Sequence, residues 1–116
     1  MNVLLTSVGR RKYIVEYFRD ALKGRGQVLA TNSVFTNALL AADYYELSPL
    51  IYDDSYIPFL KDLCKRKKVS AIMSLFDIDL PELAKNQETF HEIGVRFIGP
   101  SVETAMIGND KLATNL

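Results

Sequence analysis

Val3-Leu4-Leu5-Thr6-Ser7-Val8-Gly9-Arg10-Arg11-Lys12-Tyr13-Ile14-Val15-Glu16-Tyr17-Phe18-Arg19-Asp20-Ala21-Leu22-Lys23-Gly24-Arg25-Gly26-Gln27-Val28-Leu29-Ala30 is the stretch that decides the fold. It opens on an apolar run without alternating polar positions, which is the pattern of a strand covered on both faces. Tyr13, Ile14, Tyr17, Phe18, Ala21 and Leu22 then recur at helical spacing, and Gly24 and Gly26 close the helix. A second apolar run starts at Val28. The stretch therefore reads as one strand–helix–strand unit.

Downstream the unit repeats. A short helix is expected around Thr36 to Ala42, a strand near Tyr44 to Leu47, and a helix from about Ser55 to Lys67 carrying Ile57, Leu60, Leu63 and Cys64. A strand at Ala71-Ile72-Met73 follows. Asp79-Leu80-Pro81-Glu82 has the form of a capping box with proline in the first turn, and one helix is expected from there to Gly94. Val95 to Ile98 supplies a fifth strand. Such alternation predicts an α/β fold, an open parallel sheet of about five strands with helices on both faces in three layers.

The 116 residues suit one domain, and 48% hydrophobic with 24% charged residues is the balance of a folded globular chain. Fourteen Lys and Arg offset fourteen Asp and Glu, so no net field would hold the chain on nucleic acid or an acidic membrane. Any anion site must be local. Cys64 has no second cysteine to pair with, and the first residues lack the basic and long apolar regions of a signal peptide, so a cytoplasmic location is expected. No apolar run approaches the roughly 20 residues that span a bilayer.

Open parallel sheets bind ligands beyond the carboxyl ends of their strands, which places the chemistry in the loops Thr6 to Arg11, Thr31 to Phe35, Ser74 to Asp79 and Gly99 to Ser101. In the first of these, Ser7, Gly9, Arg10 and Arg11 precede a helix N-terminus, where amides and guanidinium groups can greet an oxyanion. The alternative is that both arginines are solvated or paired with a neighbouring carboxylate. Asn32 and Ser33 join this candidate set from the second loop. Neither loop carries the G-x-G-x-x-G and closing acidic residue of a dinucleotide site, which argues against a nicotinamide-dependent reductase. Asp79 is expected to cap a helix, leaving Asp77 as a candidate for an amine or ribose hydroxyl; no metal-ligand spacing accompanies either. His91, Cys64 and the pairs Tyr44-Tyr45 and Tyr52-Tyr56 read as solvated or packing residues.

The last segment, Ile98-Gly99-Pro100-Ser101 with Glu103-Thr104 and Gly108-Asn109-Asp110-Lys111, resembles the I-G-P-s-x-E-t…g-D-K stretch of biotin carboxylase and related ATP-grasp enzymes. Val3 to Arg11, Ala30 to Ser33 and Ser74 to Asp79 look like the opening domain of ATP-grasp proteins related to the carbamoyl-phosphate synthase large chain. One departure is Asn32, which stands where that pattern has aspartate. The resemblance implies a Rossmann-like pre-ATP-grasp domain over residues 1–108, with 109–116 starting the helix that leads into an ATP-grasp domain not in this sequence. It further implies a carboxylate–amine or ammonia ligase that works through an acylphosphate, using ATP and Mg2+ bound by later subdomains, with Lys111 as the nucleotide-binding residue here. By itself the fragment would be inactive and hold no cofactor tightly. The implied partners are a small-molecule carboxylate or amine and the ATP-grasp domain, with no nucleic acid and no membrane; a homodimer is compatible with the pattern. The reading from another class is a stand-alone Rossmann-like module that binds a phosphorylated metabolite or nucleotide without catalysis.

Overall fold

The computed structural model describes residues 1–75 and 80–98. Ten elements follow one another along them: β1 (Asn2–Thr6), α1 (Lys12–Ala21), β2 (Val28–Asn32), α2 (Asn37–Leu40), β3 (Tyr44–Leu47), α3 (Tyr56–Arg66), β4 (Val69–Ser74), α4 (Leu80–Lys85), α5 (Gln87–Glu92) and β5 (Arg96–Phe97). The strands form one sheet in the order β3-β2-β1-β4-β5, every neighbouring pair parallel. The chain is thus the α/β fold expected, a Rossmann-like arrangement with β1 at its centre. Chain order reverses there, β2 and β3 building to one side and β4 and β5 to the other. The crevice left where the connections diverge is the usual ligand position in such a sheet.

Both faces of the sheet are apolar, and this hides the period-two alternation of each strand. Val3, Leu5, Val28, Ala30 and Ala71 point to one side and pack with Val15 of α1 and Ala38 and Leu39 of α2. Leu4, Leu29 and Ile72 point to the other and pack with Tyr56, Leu60, Leu63 and Cys64 of α3, Leu83 of α4 and Phe90 of α5. Each fully buried Leu, Ile or Phe side chain contributes about 1.5–3 kcal/mol. In β4 the alternation is interrupted once. Asn2 pairs with Val69 but Val3 pairs with Ala71, so Ser70 is an extra residue, a β-bulge.

Three details differ from the sequence expectation. The inward row of α1 is Val15, Phe18 and Leu22, whereas Tyr13 and Tyr17 are each 70% exposed and Ala21 is exposed as well. The row that packs therefore lies to one side of the apolar stripe in the sequence, because Tyr13 and Tyr17 keep their phenol edges in water. The single helix expected from Asp79 to Gly94 is two helices, α4 and α5. Asn86 separates them with φ −103° and ψ 11°, its amide Nδ2 donating to the Glu82 carbonyl at 2.8 Å and its N–H to Leu83 at 3.1 Å. The side chain replaces the helical continuation locally, as asparagine commonly does. Third, β5 is only two residues long, although the Ile98 N–H still reaches the Ile72 carbonyl at 2.8 Å. The Asp79 cap and the boundary expected at residue 108 lie outside the described residues. Among those described, no helix is long and apolar enough to cross a membrane.

Candidate functional site

The loop between β1 and α1 is built around Val8, which is fully buried in the α1-side core and pins the loop's middle to the sheet. Its N–H donates to the Thr31 carbonyl at 3.3 Å, tying the end of β1 to the end of β2. On either side of Val8 the backbone turns through the left-handed region, Ser7 at φ 53° and Gly9 at φ 53°. Glycine takes this conformation freely; serine does so at a cost of about 1–3 kcal/mol that the surrounding bonds must offset. The Arg11 N–H then bonds the Val8 carbonyl at 2.9 Å, and α1 begins.

Gly9 is held from both ends. Its N–H donates to Asn32 Oδ1 at 3.1 Å, and its carbonyl accepts from the Thr36 hydroxyl at 2.6 Å. Asn32 Nδ2 in turn donates to the Val34 carbonyl at 2.9 Å. Both ends of the Asn32 amide are therefore engaged with backbone, and the two bonds together fix which end is oxygen. An aspartate here would still accept from Gly9 but could not donate to Val34. Asparagine at this position is thus a clamp between the two loops.

These contacts gather Ser7, Gly9, Arg10, Arg11, Asn32 and Ser33 around one cleft of about 320 Å³, completed by Ser48 and Ile51 from the connection between β3 and α3. Among the described residues, none of those lining it is acidic. A Cβ placed on Gly9 would lie 3.8 Å from Arg11 Nη1, so the Arg11 side chain folds back over the loop. Arg10 is exposed and has no ion-pair partner among the described residues. The amides of Lys12 and Tyr13, which open α1, take no acceptor among those residues either. Cation charge, helix-start amides and a described lining free of carboxylates all favour an anion.

Six of the expected site residues thus meet in one place, while Asp77 and Lys111 lie outside the described residues. Ser48 and Ile51 were missed. They follow the carboxyl end of β3, a short edge strand, so their loop obeys the same strand-end rule as the others. The strongest charge cluster stands apart from the cleft lining. Arg66 donates to both Glu46 oxygens, at 2.9 and 3.1 Å, and to Asp62 at 2.6 Å, and the Tyr44 hydroxyl donates to Glu46 at 2.5 Å. The Arg66 guanidinium holds the Glu46 carboxyl below its ordinary range, while the bond to Glu46 raises the Tyr44 phenol. This network staples edge strand β3 to α3. Another groove, of about 420 Å³, lies at the opposite end of the sheet, but it carries charges of both signs and Arg19 and Asp43 already pair within it at 3.1 Å. No group of three or more His, Cys, Asp or Glu among the described residues could hold a metal ion.

Comparison with known proteins agrees with the architecture. The family model described as PylC-like, N-terminal domain, matches residues 3–98. Among solved structures, a single-chain, multi-domain long-chain acyl-CoA carboxylase superposes with a TM-score of 0.63 at 18% sequence identity, over 91% of this chain and 11% of that one. The chain thus spans about a tenth of that protein's length, and the likeness is one of fold. A search of curated proteins gave no match.

Proposed function

We propose that this chain, which belongs to the PylC-like N-terminal domain family, forms the substrate-side wall of an ATP-grasp ligase. Its β1–α1 loop would receive the carboxylate of the acid substrate. The observation that carries the reading is the cleft at the carboxyl ends of β1 and β2, where Arg10, Arg11, Ser7 and Gly9 meet Asn32 and Ser33 with no acidic side chain among the described residues that line it. A small acid entering it gains charge-assisted hydrogen bonds from guanidinium groups, which are stronger than neutral ones. The loop is preorganised, since buried Val8 and the bonds from Asn32 and Thr36 hold it in place; little ordering remains to be done on binding.

In this reading the enzyme is related to the carbamoyl-phosphate synthase large chain. Magnesium-ATP on the later subdomains supplies the phosphoryl group that turns the carboxylate into an acylphosphate, and an amine or ammonia then displaces phosphate. Lys111 is assigned to the nucleotide and Asp77 to the substrate side. The residues described here bind and orient the acid; they hold neither metal nor nucleotide. The test is kinetic, in the gene product that carries the ATP-grasp subdomains. Arg11→Ala should raise KM for the acid substrate at least tenfold, the loss expected for about 1.4 kcal/mol of a charged hydrogen bond. Melting of Arg10→Ala should change little, because that residue is exposed. Unaltered kinetics in both Arg10→Ala and Arg11→Ala would refute the assignment.

A further inference from the structure

Arg10 belongs to two cavities at once. On one side it lines the cleft just described; on the other it lines a second one, of about 510 Å³, with Lys12, Phe35, Thr36, Asn37 and Ala38. Among the described residues this neighbour also has no acidic side chain in its lining, and it holds two cations. It differs from the first in carrying an aromatic ring. Phe35 is 52% exposed, its ring set 5.9 Å from that of Tyr45 at 59°, so the edge strand supports it from behind while half of it stays open. What sets Phe35 apart from a lone surface hydrophobe is its place: a half-open aromatic face in one cleft with the Arg10 and Lys12 cations, neither of which has an ion-pair partner among the described residues.

We infer that the second cleft takes the remainder of the ligand whose anionic end sits at the β1–α1 loop, and that this remainder is flat and apolar, an aryl group lying on Phe35. The inference rests on the proposed function for its anionic end. It goes beyond that reading in naming the substrate class, an aryl-bearing acid or phosphate rather than a small aliphatic one. The geometry asks for a ligand with its charge near one end, straddling Arg10, with the ring toward Phe35 and any second negative group toward Lys12. Stacking on Phe35 leaves the loop bonds of Asn32 and Thr36 undisturbed.

The experiment is a titration of the 116-residue chain followed by amide shifts in two-dimensional NMR, using phenyl phosphate and inorganic phosphate as probes. Phenyl phosphate should bind about fivefold more tightly than inorganic phosphate, as one aromatic contact of about 1 kcal/mol implies. It alone should shift the amides from Phe35 to Ala38. In Phe35→Ala the two probes should bind within about twofold of each other, with the affinity for inorganic phosphate unchanged, whereas Phe35→Trp should keep the preference. Equal affinities in the wild-type chain, or a preference that survives Phe35→Ala, would overturn the inference. The two readings fail separately. Inorganic phosphate shifting Ser7 to Lys12 with no gain from the phenyl group removes the aryl site and leaves the anion loop. A Phe35-dependent preference alongside ligase kinetics indifferent to Arg11→Ala does the reverse.

Discussion

Replacing Asn32 by alanine isolates the clamp that holds the site together. The substitution deletes two hydrogen bonds, Gly9 N–H to Oδ1 at 3.1 Å and Nδ2 to the Val34 carbonyl at 2.9 Å. Each is expected to contribute about 1 kcal/mol net; the bond to Gly9 is half-buried, whereas the one to Val34 is exposed and open to replacement by water. Because the Gly9 amide borders the cleft, solvent can recover part of the loss. The net cost should be about 1–2 kcal/mol, which in a domain of this size lowers Tm by roughly 5–10 °C. Asn32→Asp keeps the acceptor and loses the donor, so it should fall about midway. Ser33→Ala is the control: exposed, in the same cleft, and expected to stay within about 0.5 kcal/mol. Urea unfolding of the three variants, read as a shift in midpoint at constant slope, measures the series. If Asn32→Ala is no worse than Ser33→Ala, the clamp does not exist as described.

Other consequences are more local. Gly26→Ala should destabilise by about 1–3 kcal/mol, because a Cβ there would sit 1.3 Å from the Met1 carbonyl oxygen. Gly24→Ala meets nothing within 4 Å and should cost only about 1 kcal/mol for its φ of 81°; chemical denaturation separates the two. Burial pushes the Cys64 thiol up to about 12, so alkylation at pH 8 should be slow in the folded chain and fast in urea. Since the unfolded thiol ionises near 8.5, this group makes stability fall as pH rises from about 8.5 toward 12, which thermal melts across that range would register. Glu46→Gln should cost less than about 1 kcal/mol at neutral pH, since Arg66 is well exposed. The Glu46 carboxyl is depressed, so its contribution is present above the ordinary carboxylate range and lost as pH falls through its folded value. The difference in melting between the variant and the wild-type chain should therefore shrink on going from pH 7 to pH 3.

The order of elements was legible because strand and helix periods are local properties. Val3 to Leu5 and Val28 to Ala30 carry enough apolar density to mark buried strands without reference to the rest of the chain. The loop of Ser7 to Arg11 could be singled out for the same reason: it follows a central strand, and a topology rule says where such loops point. What lay beyond local reading depended on neighbours distant in sequence. The employment of Asn32 follows from a donor 23 positions away, and its two ends could be assigned only once Gly9 and Val34 were in place. The orientation of α1 turned on whether tyrosine counts as core, which its phenol leaves undecided. The break at Asn86 is a competition between side-chain and main-chain bonding that helical periodicity does not register. Phe35 reads as an ordinary hydrophobe until Tyr45 is found behind it.

The bulge at Ser70 gives β4 an asymmetric tolerance to length. Val69 belongs to the core beneath α3 and Ala71 to the core beneath α1, although the two are separated by an intervening residue. Excising Ser70 would make them consecutive, and consecutive strand residues face opposite ways already. That shortening leaves every side chain of the strand on its present side. Losing any one residue from Ala71 to Met73 would instead turn part of the strand inside out. A gene that has lost the codon for position 70 should still encode a folded domain, and one that has lost codon 72 should not.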